Sequence, residues 1–350
     1  MREVVQFCGS ACQVMRRLNR RQVSGLLFCG LLSSLCLSVS AQSQTARPVP
    51  VWSLAFSPDG KTLAAGSYQT VQLWDVDTRM AGRKLAGHAG PVRCVAWSAD
   101  GKQLAAGGGK PGEAGEVRIW DVAEGKLASG MTEHRDVVEG VAFSAAGDVI
   151  LSASIDERAL AIQVAGKKVL QTMGDHTNRV VTVALSPNGK YVATGSLDKT
   201  VKLWSATDYK PLANLDFPGG QVYQVVFLPP GDQFVVVGED GNSRIFRINE
   251  SRNGKSTGYN ISSVRTLNGN RTPIYTVAAS AKGNFIALGG EDKVVNVYDG
   301  NGNRKYQLKE CTDVVYAVAV NPEGTLVAAA SRDGKVRLWG TADGKLVAEL

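Results

Sequence analysis

The sequence contains few of the residues that build catalytic and metal sites. Its 350 residues include only three histidines and six cysteines, and four of the cysteines lie within the first 41 residues. No two cysteines have the CxxC spacing of zinc ribbons, and the HExxH pattern of zinc-binding helices does not occur. We therefore expect that the protein has no metal and no cofactor and that it is not an enzyme.

The first 41 residues differ in composition from the rest of the chain. They carry five arginines against one acid, Glu3, and then an uncharged apolar run over residues 23–40. Val39 and Ala41 supply the small residues at positions −3 and −1 of a cleavage site. We predict a signal peptide over residues 1–41 and export to the periplasm or the cell surface. The alternative is an uncleaved segment that serves as a membrane anchor.

Charge and cysteine content change once this segment is set aside. The remaining residues hold 34 Lys and Arg against 31 Asp and Glu, a net charge near +3. No basic run stands out, so we expect no nucleic-acid partner. Cys94 and Cys311 remain, and they fall in different repeats of the chain. A disulfide between them is not expected.

Glycine is abundant, by contrast, at 39 residues, and its spacing shows an internal repeat. A turn of the SPDG type recurs at intervals of 41 to 52 residues, each repeat holding three short β-branched runs and a weaker fourth. Four such strands make one antiparallel blade, which buries its faces against neighbouring blades. The turn glycines are Gly60, Gly101, Gly147, Gly189, Gly231, Gly283 and Gly324. The sequence therefore predicts an all-β fold, a seven-bladed β-propeller of four-stranded antiparallel blades.

The third run of several repeats ends in a tryptophan motif. LWD occupies residues 73–75, IWD occupies 119–121, LW recurs at Trp204 and Trp339, and GH at 87–88 precedes the second repeat. On these motifs, the chain resembles the WD-repeat family over residues 48–350, although Phe246 and Tyr298 replace tryptophan in two repeats. With the predicted signal peptide, the resemblance implies an exported bacterial member. The implied blades are about 49–86, 87–131, 132–173, 174–216, 217–267, 268–309 and 310–350.

The three histidines, His88, His134 and His176, occupy equivalent positions of their repeats. The resemblance implies that this position belongs to a structural network of His, Ser, Asp and Trp, and we expect the inserted loop of the second blade to displace its Asp. We therefore expect structural rather than catalytic histidines. The implied network residues are His176, Ser196, Asp198 and Trp204 in the fourth blade, and His134, Ser154 and Asp156 in the third.

One position of the first strand is not filled by small apolar residues, unlike its neighbours. The resemblance places this column at the mouth of a central channel, where four members would form one aromatic arc: Trp52, Tyr223, Tyr275 and Tyr316. Aromatic side chains are enriched in binding hot spots, but these could instead pack together and plug the channel. An aspartate recurs in the turn after the second run, at Asp156, Asp198, Asp240, Asp292 and Asp333. The residues directly before these aspartates form a second set that is expected on the same face: Ile155, Leu197, Glu239, Glu291 and Arg332. The full column is Trp52, Arg93, Glu139, Val181, Tyr223, Tyr275 and Tyr316.

These features predict a non-catalytic protein-interaction scaffold of the bacterial cell envelope, with a protein partner at the channel mouth. The alternatives are a carbohydrate or peptide receptor and a propeller lyase or hydrolase that acts in the channel. Two insertions, about 107–116 and 249–260, are polar and glycine-rich, and we expect surface loops there. Residues 345–350 are expected to supply the outer strand of the last blade, which leaves no strand for residues 42–48.

Overall fold

A computed structural model describes residues 48–350, apart from 254–255 and 268–271. The predicted signal peptide and residues 42–47 lie outside the described residues. Within the described range, secondary structure consists of 27 β-strands and one short 3-10 helix. None of the described helices has the length and apolar character needed to cross a membrane. The predicted all-β architecture of four-stranded antiparallel sheets is confirmed.

The first sheet contains seven strands in sequential order. The strands are β1 (Ser53–Phe56), β2 (Thr62–Gly66), β3 (Tyr68–Asp75), β4 (Ala81–Trp97), β5 (Gln103–Lys110), β6 (Ala114–Asp121) and β7 (Lys126–His134). Strand β4 is 17 residues long and belongs to two ladders. Its first part pairs with β3 as far as Pro91, and Val92–Trp97 pairs with β5. The structure therefore has six sheets rather than the seven separate sheets that the sequence predicted.

The remaining described strands form five sheets, each of four antiparallel strands. They are β8 (Val138–Phe143), β9 (Val149–Ser154), β10 (Ala159–Gln163) and β11 (Val169–Met173); β12 (Val180–Leu185), β13 (Tyr191–Ser196), β14 (Thr200–Ser205) and β15 (Pro211–Asp216); β16 (Val222–Leu228), β17 (Gln233–Gly238), β18 (Ser243–Asn253) and β19 (Ser256–Leu267); β20 (Ile274–Ala279), β21 (Phe285–Gly290), β22 (Val295–Asp299) and β23 (Arg304–Leu308); β24 (Val315–Val320), β25 (Leu326–Ser331), β26 (Val336–Gly340) and β27 (Leu346–Glu349). The 3-10 helix, Ala165–Lys167, connects β10 and β11.

The repeated turn joins the first and second strands of a sheet by side-chain and backbone bonds. In the SPNG turn, the Gly189 amide donates to the Ser186 carbonyl at 2.8 Å, and the Tyr191 amide donates to Ser186 Oγ at 2.9 Å. Gly189 has φ +67°, in the left-handed region that glycine adopts without a steric penalty. The turn therefore favours glycine at this position, which explains why glycine recurs there in each repeat.

The core consists of apolar side chains packed between the faces of neighbouring sheets. One cluster joins the first sheet to the last: Leu54 and Leu63 pack with Ala328, Ala330 and their neighbours. The same cluster includes Ala317 and Ala319 of β24, so β1 lies against the last sheet and the two ends of the described chain meet by packing. The outer strand β27 pairs with β26, so the last sheet contains the strand assigned to it from the sequence.

Both insertions extend hairpins rather than form loops, which corrects the sequence expectation. The first lengthens β5 and β6, whose pairing continues to Lys110 and Ala114. The second lengthens β18 and β19, whose pairing continues to Asn253 and Ser256. Polar, glycine-rich composition indicated exposure, but it did not exclude strands, because the outward faces of a hairpin can both be polar.

Candidate binding site

The seven column residues line one cavity of about 500 Å³, and each is half-buried. Six of them lie in an inner strand, β4, β8, β12, β16, β20 or β24, and Trp52 directly precedes the inner strand β1, so seven inner segments surround a common space. The cavity volume lies between these side chains. The column residues are Trp52, Arg93, Glu139, Val181, Tyr223, Tyr275 and Tyr316.

Below the column, polar side chains link neighbouring inner strands, a feature that the sequence analysis missed. The Val277 amide donates to Gln224 Oε1 at 2.7 Å, and the Val318 amide donates to Thr276 Oγ1 at 3.1 Å. The neighbours of the column are therefore not uniformly small and apolar. The signal was present in the sequence as a polar residue one position after the column residue.

The aromatic arc does not form one continuous stack. The rings of Tyr223 and Tyr275 are in contact, with centroids 5.4 Å apart and planes inclined by 55°. Trp52 instead lies under the guanidinium of Arg93, which is 5.7 Å from its ring centroid. Arg93 Nε also donates to Glu139 Oε1 at 3.2 Å. The arc therefore has a tyrosine half and a tryptophan half with different partners.

Electrostatics also differ around the cavity. Burial raises the pKa of Glu139, although the charges of Arg93 and Arg179 partly oppose that shift. Burial raises the pKa of Tyr275 as well, and the negative charge of Glu291 adds to it. The same two causes act on Tyr223, where Glu239 contributes before Glu291. The tyrosine hydroxyls therefore stay protonated at neutral pH, close to carboxylates.

The second predicted set is only partly brought to the cavity. Glu291 and Arg332 line it and are exposed. Glu239 is not among the lining residues, and its Oε2 accepts the Gln221 amide at 3.1 Å. Arg332 Nε donates to Asp313 Oδ2 at 2.8 Å, so its charge is already paired. Glu239 is thus a turn-supporting residue beside the site rather than part of its wall.

In the fourth repeat, His176 lies at the centre of a buried hydrogen-bond chain. Its Nδ1 lies 2.8 Å from Asp198 Oδ2, and its Nε2 lies 2.9 Å from Thr194 Oγ1. Trp204 Nε1 donates to the same Thr194 oxygen at 2.9 Å. The Asp198 carboxylate is an acceptor, so Nδ1 carries a proton, and in the neutral imidazole Nε2 accepts the Thr194 hydrogen. Burial lowers the pKa of His176, which favours this state.

Thr194, which the sequence analysis did not single out, takes the bridging role expected of Ser196. Ser196 Oγ donates to the Asn178 carbonyl at 3.0 Å and accepts the Asp198 amide, so it supports the turn. The third repeat repeats this arrangement. His134 bonds Asp156 at 3.0 Å and Ser152 at 2.8 Å, while Ser154 Oγ donates to the Asp136 carbonyl.

The second repeat departs from the others at two positions. Glu116 replaces the Asp that the insertion was expected to displace: its Oε1 lies 3.1 Å from His88 Nδ1. Ala106 stands where Thr194 and Ser152 stand in their sheets: each pairs with the third-strand residue two positions before the tryptophan position of its repeat. Within the described residues, His88 Nε2 and Trp120 Nε1 are buried and have no hydrogen-bond partner. The missing hydroxyl at Ala106 accounts for both.

Family models match the chain over nearly all of its described length. Residues 50–262, more than half of the chain, match the model described as IFT122 first beta-propeller. Residues 261–299 and 302–340 match the WD domain, G-beta repeat. The chain belongs to the WD-repeat β-propeller family. WD-repeat propellers are typically protein-interaction scaffolds.

Curated relatives are similar to portions of this WD-repeat chain. Telomerase protein component 1 of Mus musculus is 27% identical over 226 residues, 64% of this chain and 8% of that protein. Serine-threonine kinase receptor-associated protein of Homo sapiens is 27% identical over 149 residues, 42% of this chain and 39% of that protein. Periodic tryptophan protein 2 of Arabidopsis thaliana is 25% identical over 314 residues, 89% of this chain and 28% of that protein. The WD-repeat chain therefore spans well under half the length of these relatives.

The described part of this WD-repeat chain contains no group of three or more His, Cys, Asp and Glu placed to hold a metal ion. One hydrolase-like spacing, GxSxG, occurs at residues 254–258. In a nucleophile elbow, the serine lies in a turn between a strand and a helix. Ser256 instead begins β19, the second strand of a hairpin. The backbone at Ser256 therefore differs from that of a nucleophile elbow.

Proposed function

We propose that this WD-repeat chain is a non-catalytic protein-interaction scaffold that binds a protein partner at the central cavity. The observation that carries the proposal is that all seven column residues line one open cavity and stay half-buried. Tyrosine, tryptophan and arginine in such positions are typical hot-spot residues, because they bury a large area at a low cost in side-chain entropy. The proposed binding residues are those of the column together with Glu291 and Arg332.

We also propose that the ring has seven blades and that the protein is exported. The apolar clusters between successive four-stranded sets, including the one between the first and last sheets, support the closed ring. In this interpretation, β4 is the outer strand of the first blade and the inner strand of the second. The composition of residues 1–41 supports export to a bacterial envelope. The relatives reported above are eukaryotic proteins and carry no information about that compartment.

Partner capture by cavity variants tests the proposed site. The exported protein would be immobilised, and the proteins it captures from the envelope fraction would be quantified for Tyr275→Ala/Tyr316→Ala and for wild type. We expect affinity for the captured partner to fall by about 2 kcal/mol or more, roughly 30-fold, the threshold of a hot spot. Tyr68→Ala, at a tyrosine that is 53% exposed and outside the cavity lining, is the matched control.

Thermal unfolding separates binding from stability. Trp204→Ala removes both core packing and a network donor, and it should cost about 3–5 kcal/mol. The tyrosine pair should cost much less, because both rings are half-buried at an open cavity. If the tyrosine variant unfolds as early as Trp204→Ala while the remaining folded protein captures its partner normally, the tyrosines are structural and the proposed site is wrong.

A further inference from the structure

The two arginines that line the cavity form ion pairs, whereas one glutamate that lines it has no ion-pair partner within the described residues. Arg93 is bonded to Glu139, and Arg332 is bonded to Asp313. Glu291 also lines the cavity, but no lysine or arginine within the described residues forms an ion pair with it. Glu291, Tyr275 and Tyr223 line the same cavity, and the negative charge of Glu291 contributes to the raised pKa of both hydroxyls. The tyrosine half of the cavity therefore presents two inclined rings and an uncompensated carboxylate.

At two other places in the chain, an aromatic ring and a carboxylate hold an arginine side chain between them. On the opposite side of the cavity, the guanidinium of Arg93 lies 5.7 Å from the Trp52 centroid and bonds the Glu139 carboxylate. At another position, Arg244 lies 5.2 Å from the Phe217 centroid and bonds Asp240 at 2.6 Å. In both places, an arginine of this chain fills the space between an aromatic ring and a carboxylate. At Tyr223, Tyr275 and Glu291, the ring and the carboxylate are present without an arginine of their own.

We propose that the corner formed by Tyr223, Tyr275 and Glu291 binds an arginine side chain of the protein partner. This inference rests on the proposed function and specifies what the partner inserts into the cavity. A guanidinium is planar, stacks on aromatic faces and donates two parallel hydrogen bonds to a carboxylate. The half-buried rings supply the stacking surface, and the exposed Glu291 carboxylate supplies a charge that salt can screen. The cavity volume of about 500 Å³ accommodates one such side chain with its neighbouring backbone.

The test uses a short peptide and its uncharged isostere. Acetyl-Gly-Arg-Gly-amide and the same peptide with citrulline in place of arginine would be titrated into the full chain with isotope-labelled tyrosine. Chemical shifts of the Tyr223 and Tyr275 rings report binding at this corner. We expect the arginine peptide to bind with a dissociation constant on the order of 1 mM at low salt. The citrulline peptide should bind at least tenfold more weakly.

Two charge-removing variants locate the contact. Glu291→Gln should weaken binding of the arginine peptide at least tenfold, and 0.5 M salt should weaken it in wild type by screening. Glu133→Gln removes the same charge from an exposed glutamate outside the cavity lining, and it should leave the affinity unchanged. Far-ultraviolet circular dichroism and the unfolding midpoint of each variant should match wild type, which ties the loss to the contact itself.

Three results would overturn the inference: equal binding of the arginine and citrulline peptides, equal binding to wild type and Glu291→Gln, or no shift of either tyrosine ring. Each leaves the proposed function standing if partner capture still depends on Tyr275 and Tyr316. Capture that does not depend on them contradicts the proposed function instead, whatever the peptides do. The peptide titration and the partner-capture experiment can therefore contradict their two hypotheses independently.

Discussion

The hydroxyl of Thr194 lies 2.9 Å from Nε2 of His176, and this contact connects the segment that precedes β12 to strand β13. Through it, the Trp204 N–H group, the imidazole and the Asp198 carboxylate form one chain of hydrogen bonds. Each member is buried, so each bond removed leaves a polar atom without a partner, at a cost of about 1–3 kcal/mol. The second repeat lacks this hydroxyl, and it offers the most direct test of the network.

Ala106→Ser should stabilise the protein by up to about 1 kcal/mol. The new hydroxyl would stand where Ser152 stands in the third repeat, within reach of His88 Nε2 and Trp120 Nε1. The urea midpoint of unfolding measures the change. Ala105→Ser is the matched control. Ala105 is as buried as Ala106 but points to the opposite face of β5, so a hydroxyl there should destabilise the protein. Destabilisation by both variants would show that the orphaned atoms have no bearing on stability.

Glu116 should make stability depend on pH in the acidic range. Burial opposes its ionisation, but hydrogen bonds from His88, the Ala89 amide and Arg118 outweigh burial and lower its pKa to about 2. A lowered folded-state pKa contributes stability above the ordinary value of 4.5, and this contribution is lost as the pH falls from 4.5 towards 2. At pH 7, Glu116→Gln should therefore be less stable than wild type by about 2 kcal/mol.

Urea unfolding of wild type and Glu116→Gln at several pH values between 7 and 3 measures this effect. The difference between the two proteins should shrink steadily below pH 4.5, because other carboxylates titrate in both and cancel in the comparison. A difference that stays constant over the whole range would mean that Glu116 ionisation makes no net contribution.

Thr276→Val should weaken the link between two neighbouring inner strands. The substitution keeps the shape of the side chain but leaves the Val318 amide without its acceptor, which should cost about 1–3 kcal/mol. Thr266→Val makes the same change on exposed strand β19 and should alter the free energy of unfolding by less than about 0.5 kcal/mol. Equal effects of the two variants would indicate that the cross-strand bond has no special weight.

The long hairpin of β18 and β19 is held against the fourth four-stranded set by Tyr191. Its hydroxyl donates to the Glu250 carboxylate, and its ring meets the Tyr259 ring edge-on with centroids 6.2 Å apart. Tyr191→Phe removes the hydrogen bond and keeps most of the ring contact. We expect faster amide exchange at residues 249–252 and 257–260, with a nearly unchanged unfolding midpoint, because local opening needs less free energy than global unfolding. Unchanged exchange there would show that the hairpin is held without this bond.

Much of the fold follows from the sequence alone, because its signals are local and repeated. Each SPDG-type turn fixes a positive φ at glycine, and each short β-branched run between turns has the length and composition of a strand. Equivalent positions in successive repeats occupy equivalent places, so repetition predicts that Tyr223, Tyr275 and Tyr316 share one surface, and the family resemblance places that surface at the channel mouth. The same repetition put His134 and His176 in matching networks.

What the sequence could not determine depends on contacts between distant residues. A hydrophobic pattern does not show where one sheet ends, so the continuity of β4 through two ladders emerged only in three dimensions. Spacing alone did not identify Thr194 as the bridge or Glu116 as the substitute carboxylate, since side-chain direction decides both. Likewise, the sequence placed Glu291 near the tyrosines, but only the tertiary structure showed that Arg93 and Arg332 are already paired elsewhere, which leaves that carboxylate uncompensated.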